Sequence, residues 1–381
     1  MSENPESESK RPPRYYIEVL GKALDVMNVM KQQAGELRLS EIADAAHLDK
    51  ATAFRVLYTL EKRGYVFRSL QTKKFKLLLG YRIYRVGYAQ LSSEDPFVHS
   101  VTQGLIEEAK RWRVELIVMD NRADPATAVK NAQAMIEQKV DFAIEYQPHY
   151  RVAPLLAEMF AQARIPTMAI DIPQPGAIFF GANNYTAGLM GGQALGHFAR
   201  KRWHGRVDRI ILLELTQAGR TPQSRILGTL RGIQSALPAA DHRGVIHRDT
   251  KGTEAGGYQV TLKALRSARP REHVLIAAVN DAAALGALRA IHELGRDRAT
   301  AIIGHGFGPD PRLRVEIRRR DSALIGSVAY FPDQYGSKIL PIILRWLNQE
   351  QIPPTNHTDH ALVSKENIRQ FRPGREDGKQ R

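Results

Sequence analysis

From about residue 81 onward, apolar runs rich in β-branched residues alternate with segments of helical spacing, and this alternation constrains the fold most strongly. A strand followed by a helix, repeated many times, is typical of βαβ units, whose parallel strands form a sheet covered by helices on both faces. We therefore predict an α/β domain with parallel sheets over residues 81–370. The predicted strands are Glu115–Asp120, Phe142–Tyr146, Thr167–Ile172, Arg209–Thr216, Val274–Asn280, Ala301–Gly304 and Ala323–Ala329.

Residues 15–80 have a different pattern, which predicts a separate helical domain. A first helix, Ile17–Gln33, has one apolar face, and Ser40 is the expected N-cap of a second, shorter helix. After a tight turn, Asp49 is expected to cap a third helix, Lys50–Arg63, and Gly64 to end it. Two short helices joined by a tight turn, with the second one amphipathic and basic, indicate a helix-turn-helix.

The third helix and the segment after it carry the residues that we expect to contact double-stranded DNA. Helix-turn-helix proteins contact bases through the N-terminal part of the third helix. The segments Tyr65–Arg68 and Lys74–Leu77 then predict two strands of a basic wing, with Lys76 among the cations suited to phosphate contacts. The predicted DNA-binding residues are Ser40, Lys50, Thr52, Arg55, Arg68, Lys73 and Lys74.

The overall charge agrees with a nucleic-acid partner, since the formal net charge is +15 and a basic surplus favours polyanions. The alternative is a three-helix interaction domain whose charges form only a solvated face.

Two terminal segments lie outside these domains. We predict a disordered leader over residues 1–14 and a basic tail over residues 371–381. The leader has no apolar core like that of a signal peptide, and no apolar run approaches the length of a membrane span. We therefore expect a cytoplasmic protein. With no cysteine in the sequence, disulfides, thiolate nucleophiles and cysteine zinc sites are excluded.

Within residues 15–80, the sequence resembles the DNA-binding domain of the isocitrate-lyase-regulator (IclR) family. The resemblance implies a winged helix-turn-helix. It covers about 65 residues and does not extend to that family's own effector domain. The matching pieces are Ala23-Leu24-Asp25, Leu39-Ser40-Glu41-Ile42-Ala43, Asp49-Lys50-Ala51-Thr52, Arg55-Val56-Leu57 and Thr59-Leu60-Glu61-Lys62-Arg63-Gly64-Tyr65-Val66.

A second resemblance extends from Tyr84 to about Ile368. It rests on the strand Arg85–Gln90, Asp95-Pro96-Phe97, Ile165–Asp171, Gly181–Asn184, Ala277–Leu288 and Phe331–Gly336. Through these pieces the segment resembles the type I periplasmic-binding-protein fold of ribose-type sugar-binding proteins and of lactose-repressor-type sensor domains. The resemblance implies a two-lobed domain that binds a small-molecule effector, a sugar or sugar derivative, between its lobes.

Ligand-binding residues follow from the same resemblance and from the rule that ligands of open α/β sheets bind beyond the carboxyl ends of the strands. Carboxylates and amides suit sugar hydroxyls, and Phe97 suits an apolar sugar face. For the strand-end Asp and Asn residues the alternative is that each only caps the following helix. The predicted ligand-binding residues are Asp95, Phe97, Asp171, Asn184, Arg225, Asn280, Asp281 and Gln334.

One segment departs from the pattern of the sugar-binding proteins. Gly304-His305-Gly306-Phe307-Gly308 has no carboxylate where those proteins often carry one, and His305 is a candidate substitute. A missing carboxylate beside a retained Arg225 would suit an acidic or phosphorylated sugar.

These features together predict a ligand-responsive DNA-binding regulator, expected to be a homodimer because one winged helix contacts only a half-site. The rival interpretations are a solute-binding component of a sugar uptake system and an enzyme. We predict no catalytic residue, metal site or cofactor: no nucleophile elbow or phosphate loop is present, and His357 and His360 are interpreted as surface residues.

Overall fold

A computed structural model describes residues 15–33, 35–69, 72–78, 83–147, 149–238 and 244–371, and for residues 220–222 the backbone alone. The chain divides into two compact units, one comprising residues up to 83 together with 111–113, and the other the remaining residues. The predicted leader, the domain boundary at residues 80/81 and nearly all of the tail lie outside the described residues and stay predictions.

Within the described residues, the smaller unit has three helices and a two-stranded antiparallel sheet, as the sequence predicts. In this sheet Val66 pairs with Leu77, and Arg68 pairs with Phe75. The core of the unit includes Ile42, Leu57 and Phe75. The elements are α1 (Glu18–Gln32), α2 (Leu39–Ala45), α3 (Lys50–Lys62), β1 (Val66–Arg68) and β2 (Phe75–Leu77).

The predicted N-cap of α3, Asp49, is confirmed, whereas the predicted N-cap of α2, Ser40, is wrong. Asp49 accepts a hydrogen bond from the backbone N–H of Thr52 at 2.9 Å. Helix α2, however, begins at Leu39 and takes Arg38 as its N-cap, so Ser40 lies inside the first turn. The Glu41 carboxylate accepts the Arg38 N–H at 2.6 Å, and this bond fixes the start of the helix one turn before Glu41.

The larger unit contains two six-stranded sheets. Their strand orders are β13-β7-β6-β5-β3-β4 and β14-β12-β11-β10-β8-β9, and among the described pairs only β12 and β14 run antiparallel. The strands are β3 (Arg85–Gln90), β4 (Glu115–Asp120), β5 (Phe142–Glu145), β6 (Thr167–Ile170), β7 (Ile178–Gly181), β8 (Arg209–Glu214), β9 (Val245–Asp249), β10 (Val274–Ala278), β11 (Thr300–Gly306), β12 (Leu324–Ala329), β13 (Thr355–His357) and β14 (Ala361–Ser364).

Helices connect successive strands and bury their apolar faces against the sheets. The second sheet, for example, packs Ile276 and Ile302 against Leu288 of α10. The helices are α4 (Pro96–Trp112), α5 (Pro125–Glu137), α6 (Ala153–Gln162), α7 (Asn184–Trp203), α8 (Arg220–Ala236), α9 (Glu254–Arg266), α10 (Asp281–Glu293), α11 (Pro311–Arg318) and α12 (Tyr335–Leu347).

The chain passes between the two sheets at three places, after β7, after β12 and after β13. Each sheet and its helices form one lobe. Because the chain passes repeatedly between the sheets, the segments of the two lobes alternate along the sequence. This two-lobed, parallel α/β architecture confirms the predicted fold class.

Helices α7 and α8 touch backbone to backbone through glycines. A Cβ on Gly188 would lie 2.0 Å from the carbonyl oxygen of Arg225, and one on Gly192 would lie 2.1 Å from that of Thr229. Any side chain there would force the helices apart. The close approach brings Asn184, at the start of α7, next to Arg225 of α8.

Candidate functional site

A cavity of about 470 Å³ lies between the two lobes, at the carboxyl ends of the parallel strands. Every predicted ligand-binding residue except Gln334 lines it. Gln334 lies in a short 3-10 helix, Pro332–Gln334, before α12 and is not part of the lining. The predicted residues at the cavity are Asp95, Phe97, Asp171, Asn184, Arg225, Asn280 and Asp281.

Asp171 follows β6 in the left-handed backbone conformation, with φ of 57°. Its carboxylate accepts hydrogen bonds from the Tyr146 hydroxyl at 2.8 Å, the Ala182 N–H at 3.3 Å and the Tyr335 hydroxyl at 3.4 Å. Burial raises the pKa of Asp171, and the hydrogen bonds oppose that change. The carboxylate is held in place by one lobe and faces the cavity, and it caps no helix.

Arg225 brings a guanidinium to the same cavity. Its Nε and Nη2 donate to Asn184 Oδ1 at 3.1 and 2.6 Å, Nη1 donates to the Val279 carbonyl, and its Cζ lies 5.3 Å from the centroid of the Tyr330 ring. No carboxylate of the described residues forms an ion pair with it. Two of its five N–H groups remain for a ligand.

Asn280 and Asp281 have different roles, and capping applies to Asn280. The Asn280 Oδ1 accepts the Ala283 N–H at 2.9 Å and its Nδ2 donates to the Gly252 carbonyl at 2.8 Å. Asp281 instead accepts hydrogen bonds from the Ser327 hydroxyl at 2.7 Å and the Gly308 N–H at 3.1 Å. Burial raises the pKa of Asp281 to about 7.

We therefore expect Asn280→Ala to lower the free energy of unfolding by about 1 kcal/mol, the usual contribution of a helix cap. Denaturant unfolding measures this directly. Asn280→Ser is the matched control, because serine also supplies a capping oxygen. Equal stability of the alanine variant and the wild type would contradict the assignment of Asn280 as a cap.

Asp95 and Phe97 lie at the start of α4. Asp95 accepts the N–H groups of Phe97 and Val98 at 2.7 and 3.1 Å. The Phe97 ring meets the Tyr335 ring edge-on at 5.8 Å, so it presents a fixed apolar surface to the cavity.

Sequence reasoning did not place Tyr146 and Tyr330 at the site, and it considered His305 only as a substitute for a carboxylate; all three line the cavity. The Tyr330 hydroxyl is buried and has no hydrogen-bond partner among the described residues. His305 Nδ1 lies 2.8 Å from the Ala278 carbonyl and must donate to it. Burial lowers the pKa of His305 to about 3. This imidazole is neutral and does not replace a carboxylate.

Acidic side chains outnumber basic ones around the cavity: its lining contains Glu94, Asp95, Asp171, Glu254, Asp281 and Asp310, but two arginines, Arg225 and Arg312. Of these two, Arg312 is already paired with Glu254 at 3.0 Å and with Asp310 at 2.7 Å.

In the smaller unit, α3 carries three of the predicted DNA-binding residues, Lys50, Thr52 and Arg55; Ser40 lies in α2, and Arg68, Lys73 and Lys74 lie in the wing. Lys50 and Arg55 are exposed, and Arg55 Nη2 lies 3.5 Å from Thr52 Oγ1. In the wing, Lys73 is exposed, and Arg68 and Lys74 are half-buried. Ser40 of α2 and Thr52 of α3 are also half-buried.

Sequence reasoning did not single out two exposed aromatic residues of α3, Phe54 and Tyr58. Phe54 is 38% exposed and Tyr58 is 49% exposed, and the Arg68 guanidinium lies over the Phe54 ring at 5.8 Å. The wing is thus joined to α3 by a cation–π contact, which places both elements on one surface.

The described residues contain no group of three or more His, Cys, Asp or Glu arranged to hold a metal ion. Nor does any helix in the described part of the chain have the length and apolar character needed to cross a membrane. The interpretation of both C-terminal histidines as surface residues is half wrong: His357 is exposed, but His360 is half-buried and accepts the Asn183 N–H.

Comparison with known families assigns both units. The profile of the periplasmic binding protein domain matches residues 86–351, and that of the IclR helix-turn-helix domain matches residues 19–69. The chain is 25% identical over 272 residues to the ribose import binding protein RbsB of Salmonella typhimurium, covering 71% of this chain and 88% of that protein. It is 27% identical over 100 residues to the HTH-type transcriptional regulator XynR of Escherichia coli, covering 26% of this chain and 35% of that protein.

Solved structures share the fold of the larger unit. A periplasmic solute binding protein of an ABC transporter from Actinobacillus succinogenes, with bound D-allose, has a TM-score of 0.65 at 18% identity, covering 76% of this chain and 100% of that one. A solute binding protein from Bacillus halodurans with bound myo-inositol has a TM-score of 0.63 at 19% identity, covering 76% and 96%.

Proposed function

Since the chain belongs to the periplasmic binding protein domain family, we propose that its cavity binds a neutral sugar or polyol, and that this ligand controls DNA binding by the IclR-type unit. The observation that carries the proposal is the cavity between the lobes, lined by carboxyl groups, Arg225 and Phe97, in the same chain as a helix-turn-helix domain. Relatives of the larger unit are named for ribose import. A relative of the smaller unit is named a transcriptional regulator.

The charges support a neutral ligand over the acidic or phosphorylated sugar that the missing carboxylate suggested. A ligand anion would meet more acidic than basic side chains in this lining, and each ionised carboxylate among them would repel it. Hydroxyl groups, in contrast, can donate to the carboxylates and accept from Arg225.

A thermal-shift screen tests the ligand class. Neutral pentoses, hexoses and polyols are compared with sugar acids and sugar phosphates, because a ligand that binds only the folded state raises the melting temperature. Stabilisation by a neutral member is the expected result. A shift given by sugar phosphates alone would overturn the neutral ligand, and no shift from any member would overturn the sugar-binding function.

For the smaller unit we propose binding to double-stranded DNA through α3 and the wing, with the contacts predicted from the sequence: Ser40, Lys50, Thr52, Arg55, Arg68, Lys73 and Lys74. Their support is the exposure of Lys50, Arg55 and Lys73 together with the placement of Arg68 against α3.

We propose further that the chain acts as a homodimer, which the exposed apolar face of α1 supports. Val19, Leu20 and Leu24 are 72%, 55% and 51% exposed. A water-exposed apolar face of this kind marks an interaction surface.

We expect the operator to show imperfect two-fold symmetry and the protein to sediment as a dimer. Leu20→Glu should give a monomer that protects a single half-site in footprinting, because a carboxylate would be buried in the interface. Gln32→Glu, on an exposed position of the same helix, is the control and should stay dimeric. A monomeric wild type bound to one asymmetric half-site would contradict the dimer.

Both matched families bind ligands or DNA and neither is enzymatic, so we propose a regulator without catalytic activity that acts in the cytoplasm. The alternative, a component of a sugar uptake system, rests on the relatives named for import. Cell fractionation separates the two, since an uptake component would be recovered outside the cytoplasm.

A further inference from the structure

The three segments that connect the lobes are hydrogen-bonded to one another. In the third segment, the Thr358 N–H donates to the Gly181 carbonyl at 3.0 Å, and the Thr358 hydroxyl donates to the Tyr330 carbonyl at 2.8 Å. The first, second and third connections therefore form one bonded cluster, which we call the hinge. Any change in the angle between the lobes must be absorbed there.

His360 provides a further link in the hinge. Its Nε2 accepts the backbone N–H of Asn183, in the first connection, at 2.9 Å, and its ring lies 5.2 Å from the Tyr330 ring of the second connection. Because Nε2 accepts, it carries the lone pair, and the proton is on Nδ1. This bond exists only while the imidazole is neutral.

A short chain of contacts leads from His360 to the ligand cavity. Asn183 caps α7, where its Oδ1 accepts the Thr186 N–H at 3.1 Å. The next residue, Asn184, accepts two hydrogen bonds from Arg225, and Arg225 lines the cavity. The hydrogen bond between Asn183 and His360 therefore fixes the residue next to Asn184, and Asn184 in turn holds the Arg225 guanidinium at the cavity.

From this geometry we propose that His360 is a positioning residue: its neutral imidazole holds the lobes at the angle that places Arg225, and protonation of Nε2 releases the hinge. A protonated Nε2 would direct an N–H at the Asn183 N–H, so the bond would be replaced by a repulsive contact. The proposal rests on the proposed ligand site for its purpose, but its test does not require a ligand.

The groups around His360 determine the pH at which the hinge is released. The groups that act on it are Arg225, His305, His357, Asp359 and Tyr330. Burial is the largest influence and lowers the pKa of His360 below its usual 6.5. Arg225 and His357 lower this pKa further, whereas the Ala329 carbonyl and Asp359 raise it. Asp359 is itself paired with Lys338 at 2.6 Å. The hinge bond is therefore present at neutral pH and is lost as the pH falls through a value below 6.5.

The absence of cysteine from the sequence allows a direct measurement of the lobe angle. Spin labels on introduced cysteines at two exposed positions, Glu158→Cys in α6 of the first lobe and Lys263→Cys in α9 of the second, report the distance between the lobes by pulsed electron paramagnetic resonance. Two variants are compared with the wild type in this background. His360→Phe keeps a ring without an acceptor, and His360→Gln keeps an acceptor that does not titrate.

At about pH 7.5 we expect the wild type and His360→Gln to share one narrow distance distribution, and His360→Phe to give a displaced or broader one. On acidification to about pH 5 the wild type should move toward the His360→Phe distribution while His360→Gln stays unchanged. The carboxyl groups of the cavity are the same in both proteins, so the difference belongs to His360.

Two results would overturn the proposal: a His360→Phe distribution that superimposes on that of the wild type at neutral pH, or a His360→Gln variant that follows the wild type on acidification. If His360→Phe does not fold, the comparison of His360→Gln with the wild type still decides. A negative sugar screen would remove the proposed function and leave these distances unaffected.

Discussion

Replacing Asp171 with asparagine is expected to weaken binding of the sugar found by thermal shift by about 2 kcal/mol or more, which is about thirtyfold in Kd. Asparagine keeps one oxygen for the Ala182 N–H and can still bond to the Tyr146 hydroxyl, so the fold should survive. The ligand loses a carboxylate that accepts from its hydroxyl groups, and buried donors on the ligand are left unpaired. Calorimetric titration beside a melting curve measures both quantities.

Asp120→Asn is the matched control for that variant. Asp120 ends β4, the edge strand of the same sheet. There it accepts a hydrogen bond from the Ser93 hydroxyl at 2.6 Å, and it does not line the cavity. Its substitution should leave ligand affinity unchanged. Wild-type affinity in Asp171→Asn would remove Asp171 from the ligand site.

Replacing Arg55 with alanine is expected to cost roughly 1–3 kcal/mol in operator binding and to relax the preference at one base position. The exposed guanidinium lies in the N-terminal half of α3, the part of such a helix that contacts base edges. Selection of bound sequences from a random DNA library gives the preference, and competition binding gives the free energy.

Lys74→Ala serves as the comparison for DNA binding. Because we propose that Lys74 contacts phosphate, its loss should weaken binding to all sequences alike and reduce the salt dependence by about one ion. An unchanged base preference in Arg55→Ala would remove that residue from sequence readout.

The predicted strands were found where apolar content was high and continuous. Glu115–Asp120 matches β4 residue for residue, and most other predicted strands are shifted by one or two residues at an end. The strands that were missed are short or polar. In β9 the residues His247, Arg248 and Asp249 are exposed at the sheet edge, so no apolar run marks it. Strand β13 has only three residues, and it pairs with β7 at Phe179 and Phe180.

The cavity was predictable only in part, for a geometric reason. Strand-end positions such as Asp171 follow from the rule for parallel sheets. Tyr330 comes from a connection between lobes, and its neighbours are distant in sequence. The roles of the two residues after β10 also depend on distant partners: Asn280, besides its local cap, donates to the Gly252 carbonyl, while Asp281 accepts from the Ser327 hydroxyl. No pattern local to residues 280 and 281 distinguishes the two roles.

The three connections between the lobes also determine the order in which the chain can fold during its synthesis. The first sheet lacks its outer strand until residues 355–357 have been made, and the second lacks its antiparallel strand until residues 361–364 have followed. Neither lobe can therefore be completed on the ribosome before nearly the whole chain has emerged, and such non-local pairing is slow. The helix-turn-helix unit depends mainly on residues before position 84 and can fold first. A nascent chain would then have the proposed DNA-binding surface before it has a complete ligand cavity.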